Sequence, residues 1–296
     1  MSTGPAMTTL DRRSLLSLAL LSLGCRRSRA ASAARAAPAP ATIPARRIVS
    51  LSPTATESLV ALGFGDRLVG VSALCHGPAG LPHVGTMVAP NVAAILALRP
   101  DALVGVEGPI ATTTLQPVLE TVLRRVFPPA ETYEQYVHAL DAYAALVGAP
   151  PAAATLRQRL TDGAARVERA VAGRARPKVL MVCNASPLVV AGAGSWVDSV
   201  LRAAGGDNAA QSPNRYPLIS PDQVIAWAPS IVVDLTAPES TPTVAAAIAP
   251  LPDDAAPPPA LPPIVRVDGE LVRRQGPRYA EAVAAVARAL HPGVAL

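Results

Sequence analysis

The residue types that most often carry chemistry are few in this chain and widely spaced. Its four histidines stand at positions 76, 83, 138 and 291, without the H-E-x-x-H spacing of zinc proteases. The run Gly192–Trp196 contains neither the G-x-S-x-G turn of α/β-hydrolases nor a complete dinucleotide-binding loop. We therefore expect a binding protein rather than an enzyme, with no metal site and no cofactor of its own. An exported α/β hydrolytic enzyme is the weaker alternative.

The N-terminus carries the pattern of an export signal. Arg12 and Arg13 precede an apolar run, Leu15–Leu23, which is too short to span a membrane and ends just before Cys25. Ser22–Cys25 resembles a bacterial lipobox, whose cysteine becomes lipidated. We expect residues 1–25 to be a twin-arginine-like export signal, with Cys25 as the lipidation site. Cleavage after residues 31–33 is the alternative.

The net charge of +5 and the pI near 9.6 arise from that N-terminal segment. Eight arginines and one aspartate lie in residues 1–47, which leaves the rest of the chain slightly acidic. Nucleic-acid binding requires clustered positive charge on the folded surface. We therefore expect no nucleic-acid partner, and we interpret residues 26–46 as a flexible Ala/Pro/Arg tether between the lipid anchor and the folded part.

The remainder of the chain alternates apolar strands with helical segments, which is typical of α/β folds with mostly parallel sheets. The pattern predicts an N-terminal α/β lobe over 47–150, a connecting helix over 151–175 and a C-terminal α/β lobe over 176–296. The connecting segment has a single apolar helical stripe and is long enough to join two lobes. Strands are predicted at 48–51, 68–71, 102–106, 179–183, 188–191, 231–234 and 264–267. Helices are predicted at 55–62, 92–98, 112–124, 132–147, 152–173, 195–204, 221–227 and 277–290.

The two lobes also repeat a short segment. Asn91–Pro100 and Ser220–Pro229 each contain a short apolar helix followed by proline and a strand. This repeat predicts two pseudo-symmetric lobes.

Six motifs in the same order resemble the periplasmic binding proteins of ABC importers for cobalamin, haem and ferric siderophores. The motifs lie at Arg47–Glu57, Gly70–Ser72 with Cys75–His76, Leu98–Val104, Ala203–Asn208, Ser220–Val224, and Gly276–Arg278 with Leu290–Pro292. The resemblance implies two Rossmann-like lobes joined by one long rigid helix, with a metal chelate held in the cleft between them. It also implies delivery of that chelate to an ABC permease and ATPase complex. We expect a monomer in the periplasm or on the outer face of the cell membrane.

The same resemblance implies which residues face the ligand and the permease. The ligand-binding residues are expected to be Ser52, Pro53, Thr54, Cys75, His76, Met87, Glu107, Trp196, Tyr216, Arg273 and Arg274. Asp222 corresponds to the docking acid of the second lobe, whereas Ala93 stands where the first lobe usually has a carboxylate. Without that acid, docking through another residue such as Glu107, or a tethered sensing domain without a permease, stays open.

The ligand itself is left open among three chemical types. Cobalamin binders of this family place several aromatic residues against the ligand; in this chain only Tyr216 is aromatic at such a position, and Met87, Val106 and Leu271 replace the others. Haem requires an axial ligand, for which His76 or Tyr216 is available, and an anionic ferric siderophore requires arginines. Cys75 and Cys183 lie on opposite lobes, and we expect two separate thiols rather than a bridge.

Overall fold

The computed structural model describes residues 43–108, 112–122, 124–249 and 260–296. The predicted export signal, Cys25 and most of the tether lie outside these residues. The described residues form one compact unit. In the described part of the chain, no helix is both long and apolar enough to cross a membrane.

The N-terminal lobe is a parallel sheet in the order β2-β1-β3-β4 with helices packed on it. Its strands are β1 (Ile48–Ser50), β2 (Leu68–Val71), β3 (Ala102–Val104) and β4 (Arg124–Val126). Its helices are α1 (Pro53–Ala61), α2 (Val92–Ala97), α3 (Thr112–Thr121) and α4 (Tyr133–Leu146). The central strand β1 is buried at every position, as is typical of a parallel strand covered on both faces.

A single helix, α5 (Pro150–Val171), connects the lobes. Prolines at its first two positions fit the helix start, where backbone N–H groups have no partner within the helix. Its apolar stripe is buried along its length at Leu156, Leu160, Ala164, Val167 and Val171. Gly163 lies where the last helix crosses, and a Cβ there would stand 2.5 Å from the Cβ of Ala280.

The C-terminal lobe has the sheet order β6-β5-β8-β9, with β7 beside the start of β5. Its strands are β5 (Lys178–Ala185), β6 (Leu188–Val190), β7 (Asp207–Asn208), β8 (Ile231–Asp234) and β9 (Ile264–Arg266). Its helices are α6 (Trp196–Ala203), α7 (Pro221–Trp227), α8 (Val244–Ile248), α9 (Gly269–Arg273) and α10 (Tyr279–Leu290). All neighbouring strands are parallel except the β5–β6 hairpin.

One buried apolar cluster, the shared core, runs through both lobes. It contains Leu59 and Tyr136 of the first lobe, Leu156 of α5, and Trp196 and Val283 of the second lobe. The interlobe contact is therefore built like a protein interior, with the connecting helix as part of it.

The predicted internal repeat has a counterpart in the backbone. Asn91 caps α2 by accepting the N–H of Ala94, and Ser220 caps α7 by accepting the N–H of Gln223. Each segment ends at a residue with φ of 45° just before proline, Arg99 or Ala228. Among the described residues, these are the only non-glycine positions with positive φ. The two lobes thus share the same helix and proline turn.

Four elements differ from the sequence prediction, and β7 and α8 were not predicted at all. Residue 124 was expected to end a helix, but Arg124–Val126 is an edge strand, whose polar side chains lack a strand-like apolar pattern. No helix was predicted over 269–273 either, where the structure has α9. The fold class of two α/β lobes and a long connecting helix is confirmed.

Candidate functional site

A cavity of about 560 Å³ lies between the lobes. It is lined from the first lobe by Leu51, Ser52, Pro53, Thr54, Ala73, Leu74, His76, Met87 and Val106, and from the second lobe by Glu270, Arg273, Arg274 and Gln275. Seven of the eleven predicted ligand-binding residues are in this lining. The first-lobe members follow the carboxyl ends of β1 and β2, which is where open α/β sheets bind ligands, and Arg273 and Arg274 lie at the end of α9.

The floor of the first lobe is the start of α1. Ser52 follows strand β1 and caps the helix, because its Oγ accepts the N–H of Ala55 at 3.2 Å. Pro53 occupies the first helical turn, and the hydroxyl of Ser58 donates to the carbonyl of Thr54 at 2.6 Å. These contacts hold the Ser52–Thr54 backbone rigidly at the cavity.

The rest of the first-lobe wall is apolar. Leu74 presents its side chain 63% exposed at the cavity, and Met87 and Val106 line the same side. The Met87 side chain packs beside Gly108, which follows Val106 closely in the chain. A Cβ built on Gly108 would lie 3.4 Å from the Met87 Cε. A flat apolar ligand face therefore has a wall to pack on.

The opposite wall is charged and comes from α9. The Arg273 Nε donates to the carbonyl of Gly269 at 3.2 Å, and its Nη1 donates to the carbonyl of Cys183 at 3.4 Å. These two contacts orient the guanidinium from behind. Glu270 reaches the same group, with its Oε1 at 3.4 Å from Arg273 Nη2.

Arg274 is the centre of an ion-pair cluster between the lobes. It donates to Glu57 of α1 at 3.2 Å and also pairs with Glu270, while Arg278 lies 3.5 Å from the other Glu57 oxygen. Partial burial alone would lower the pKa of Arg274, but its bonds to Glu270 and Glu57 outweigh that effect and raise it. Arg274 therefore carries its charge at any ordinary pH.

His76 lines the cavity beside this cluster. The Nη1 of Arg274 lies 3.3 Å from His76 Nδ1, and since a guanidinium can only donate, Nδ1 accepts in this contact. A histidine that binds a metal through Nε2 instead donates its Nδ1 proton to an acceptor. This arrangement therefore does not prepare His76 as a metal ligand.

Trp196 was expected at the ligand, but the structure places it in the shared core. It is 0% exposed, and its indole N–H donates to the carbonyl of Val272 at 3.1 Å. Tyr136 and Tyr279 pack edge-on against it, with ring centroids 5.4 and 5.1 Å away. Complete burial and a satisfied indole N–H give Trp196 a packing role.

Cys75 and Glu107 also differ from expectation. Cys75 is buried behind the cavity wall, with its sulfur 3.3 Å from the Ser72 hydroxyl. Glu107 is exposed, and its backbone N–H donates to the carbonyl of Pro128 at 2.9 Å. Neither is among the residues described at the cavity. Cys75 and Cys183 are both free thiols, as expected.

Tyr216 lies in the second lobe, 38% exposed and outside the described cavity lining. Partial burial, together with the nearby Cys183 thiol, raises its pKa to about 12. Its phenol is therefore protonated near neutral pH. The neighbouring Arg215 crosses to the first lobe and pairs with Glu131 at 2.9 Å.

Four lining residues were missed by the sequence interpretation: Leu51, Ala73, Glu270 and Gln275. Glu270 carried a detectable signal, because it stands three and four residues before Arg273 and Arg274, the spacing at which helical side chains meet. No cluster of three or more His, Cys, Asp or Glu residues suited to a metal occurs in the described ranges.

The two docking positions are both on exposed helix starts. Asp222 lies in the first turn of α7, which is closed by a capping box between Ser220 and Gln223. Ala93 is exposed at the matching position of α2. The symmetry of the backbone is therefore accompanied by an asymmetry of charge.

The chain is similar in sequence to known binding proteins. A family model described as "Periplasmic binding protein" matches residues 48–249. The vitamin B12-binding protein of Salmonella typhimurium is 31% identical over 193 residues, which is 64% of this chain and 72% of that protein.

Two solved structures are similar over most of the chain. A periplasmic haem-binding protein from Pseudomonas aeruginosa has 30% identity and a TM-score of 0.67, covering 85% of this chain and 94% of that one. A periplasmic vitamin B12-binding protein of Vibrio cholerae has 25% identity and a TM-score of 0.63, covering 83% and 97%. These similar proteins are described as binding proteins and not as enzymes.

Proposed function

This chain belongs to the periplasmic binding protein family, the substrate-binding components of ABC transporters, and from that premise we propose that it captures a corrinoid in its interlobe cavity. The proposal rests on one observation: the cavity has an apolar wall on the first lobe and a charged wall on the second lobe. Leu74, Met87 and Val106 offer an apolar surface to the face of a macrocycle. Arg273 offers oriented N–H donors to the polar groups at its edge.

The candidate axial ligands argue for a corrinoid over haem. Haem iron requires a ligand from the protein, commonly His, Tyr or a Cys thiolate, with Met serving as the partner of a His. His76 already faces the guanidinium of Arg274 through Nδ1, and Tyr216 lies outside the described cavity lining. A corrinoid carries axial ligands of its own, so it requires neither group. Haem is the second candidate, supported by the similarity to the Pseudomonas haem-binding protein.

The charges at the cavity argue against a strongly anionic ferric siderophore. Arg274 is shared between Glu57 and Glu270, and Arg273 also has Glu270 nearby. The positive charge of the cavity is thus largely balanced by carboxylates before any ligand enters. A polyanionic chelate is best held by arginines without such partners.

Transport requires delivery to a membrane partner, and the exposed Asp222 supports docking of α7 onto a basic permease surface. We extend the proposal to an exported, lipid-anchored protein that uses Cys25 for the anchor. The alternative of a permease-independent sensor is favoured by one observation, the exposed Ala93 at the first-lobe position.

The ligand proposal is tested with purified mature protein, by titration with cyanocobalamin, haemin and a ferric siderophore, monitored by absorption and calorimetry. We expect saturable binding of cyanocobalamin at one site per chain. Arg273→Ala is expected to weaken it by roughly 10-fold or more, the loss of one charged hydrogen-bonding group. Arg288→Ala, on α10 away from this cavity, is the matched control.

Three results would contradict the proposal. The first is an absence of any interaction with cyanocobalamin, and the second is equal affinity of the Arg273 and Arg288 variants. The third is tighter binding of haemin than of cyanocobalamin, with a shift of the Soret band, which would make haem the proposed ligand.

A further inference from the structure

Glu270 is the one carboxylate that lines the cavity among the residues described there. It lies in the first turn of α9, and its side chain is 64% exposed. One oxygen faces Arg273 and the other pairs with Arg274. A single carboxylate is thus shared by two adjacent guanidinium groups at the wall that a ligand would contact.

The contacts of Glu270 with Arg273 and Arg274 differ in length and in what else holds each arginine. Arg274 is also held by Glu57, so its orientation does not depend on Glu270 alone. Arg273 is oriented by the carbonyls of Gly269 and Cys183, and its contact with Glu270 is 3.4 Å long, beyond the usual 2.7–2.9 Å of charged hydrogen bonds. The Glu270 carboxylate therefore stands beside Arg273 without saturating it.

A guanidinium has five N–H donors, and the described contacts of Arg273 use three of them. The remaining donors can bind an acceptor on a ligand. An uncharged acceptor, such as an amide oxygen, can share the guanidinium with Glu270. A carboxylate in the same place would meet the Glu270 carboxylate at close range and be repelled by it.

We propose that Glu270 is a specificity residue that occupies the place of a ligand carboxylate and thereby selects ligands with amide edges over ligands with acidic edges. The inference rests on the proposed function, because it assumes a macrocycle with its polar edge at Arg273. It adds a reason for discrimination that the arginines alone do not supply, since arginines by themselves favour acids. Selection against the wrong ligand by like charge is a general route to specificity.

The test compares two ligands that differ in one group, cyanocobalamin and a monocarboxylic acid derivative in which one side-chain amide is replaced by a carboxylate. Dissociation constants are measured by calorimetry for the wild type and Glu270→Gln. Gln keeps the size of the side chain and an acceptor oxygen for Arg274, and Glu57 remains to hold that arginine. The variant is therefore expected to fold.

For the wild type we expect the amide form to bind roughly 10-fold tighter than the acid, from one like-charge contact. In Glu270→Gln the ratio is expected to fall to about 2-fold or less, because the affinity for the acid rises more than that for the amide form. Glu281→Gln, an exposed first-turn acid of α10, should keep the wild-type ratio.

If the ratio of the two affinities is unchanged in Glu270→Gln, even though both affinities change, the role of Glu270 is overturned and the proposed function is left intact. Failure of the wild type to bind either corrinoid would overturn both. A ratio that falls equally in the Glu281 variant would assign the effect to net charge and also overturn the role of Glu270.

Discussion

Arg274 of the second lobe lies 3.2 Å from Glu57 of the first, and each side chain is only 13% exposed. This ion pair joins α1 to the end of α9, and its arginine lines the cavity. Arg278 and His76 lie against the same pair, so the contact is a small network rather than an isolated bridge. Its burial separates it from the second interlobe pair, Arg215 and Glu131, which is largely exposed.

Glu57→Gln is expected to lower the free energy of unfolding by about 1–3 kcal/mol, because it leaves the poorly solvated Arg274 with Glu270 as its only described carboxylate partner. Glu131→Gln is the matched control, and it should cost less than about 1 kcal/mol because that pair is solvated. Urea unfolding followed by circular dichroism measures both. Equal effects of the two substitutions would contradict the assigned difference.

Gly163→Ala is expected to destabilise the protein by about 1–3 kcal/mol, although alanine is normally the better helix former. The reason is the approach of α10, since the new Cβ would lie 2.5 Å from that of Ala280. The double variant Gly163→Ala with Ala280→Gly should recover part of the loss, because it removes the atom in conflict. A higher thermal midpoint for Gly163→Ala would contradict this expectation and show that α5 and α10 can move apart at little cost.

Trp196→Phe is expected to reduce stability by about 1–3 kcal/mol, because the buried carbonyl of Val272 loses its donor. The dissociation constant of the bound macrocycle should be unchanged once the protein is folded, since Trp196 lies in the core. Unfolding curves and ligand titration on the same sample separate the two effects. If Trp196→Phe binds the ligand more weakly and is as stable as the wild type, Trp196 is a ligand-binding residue and not a packing residue.

Burial raises the pKa of the Cys183 thiol to about 12, although Arg273 acts in the opposite direction. In a Cys25→Ser/Cys75→Ser variant, Cys183 should therefore react with iodoacetamide at pH 8 at least about 100-fold more slowly when folded than in urea, because the thiolate is the nucleophile. The raised value also means that this thiol stabilises the fold below pH 9, with the contribution lost as the pH rises toward 12. Fast labelling of the native variant would contradict the burial.

Asp222→Asn is expected to reduce stimulation of the cognate permease ATPase in proteoliposomes several-fold, because α7 would lose its exposed first-turn charge. Asp162→Asn, an exposed acid on the connecting helix, is the control and should stimulate fully. Ala93→Glu should raise the stimulation if the permease retains a basic partner for the first lobe. Full stimulation by Asp222→Asn would favour the permease-independent alternative.

The sequence predicted the fold well where apolar residues set the pattern. Strand β1 and helix α5 stand out because burial on both faces or along one stripe leaves a periodic signal. Strand β4 was missed because an edge strand that begins with Arg124 and Arg125 has no such signal. Helix α9 was missed because it has five residues and starts at Gly269, where a Cβ would overlap the carbonyl of Leu235.

The cavity was predicted less completely than the fold. Ser52, His76 and Arg273 were expected there from the resemblance to the periplasmic binding proteins, and the structure has them in the cavity lining. Trp196 was misplaced, since its spacing with Val200 fits a buried helical stripe as well as a ligand contact. Which face of α6 turns inward is decided by packing between lobes, which no local pattern encodes. The export signal, the lipid anchor and docking at Asp222 stay predictions.

The shared core has a consequence for how the protein comes apart. Because Leu59, Leu156 and Val283 belong to one buried cluster, neither lobe can detach without exposing apolar surface that the other lobe covers. We therefore expect the two lobes to unfold in one cooperative transition. A chain truncated at either end of α5 would expose the apolar face that the missing lobe covers, and a large exposed apolar face promotes aggregation.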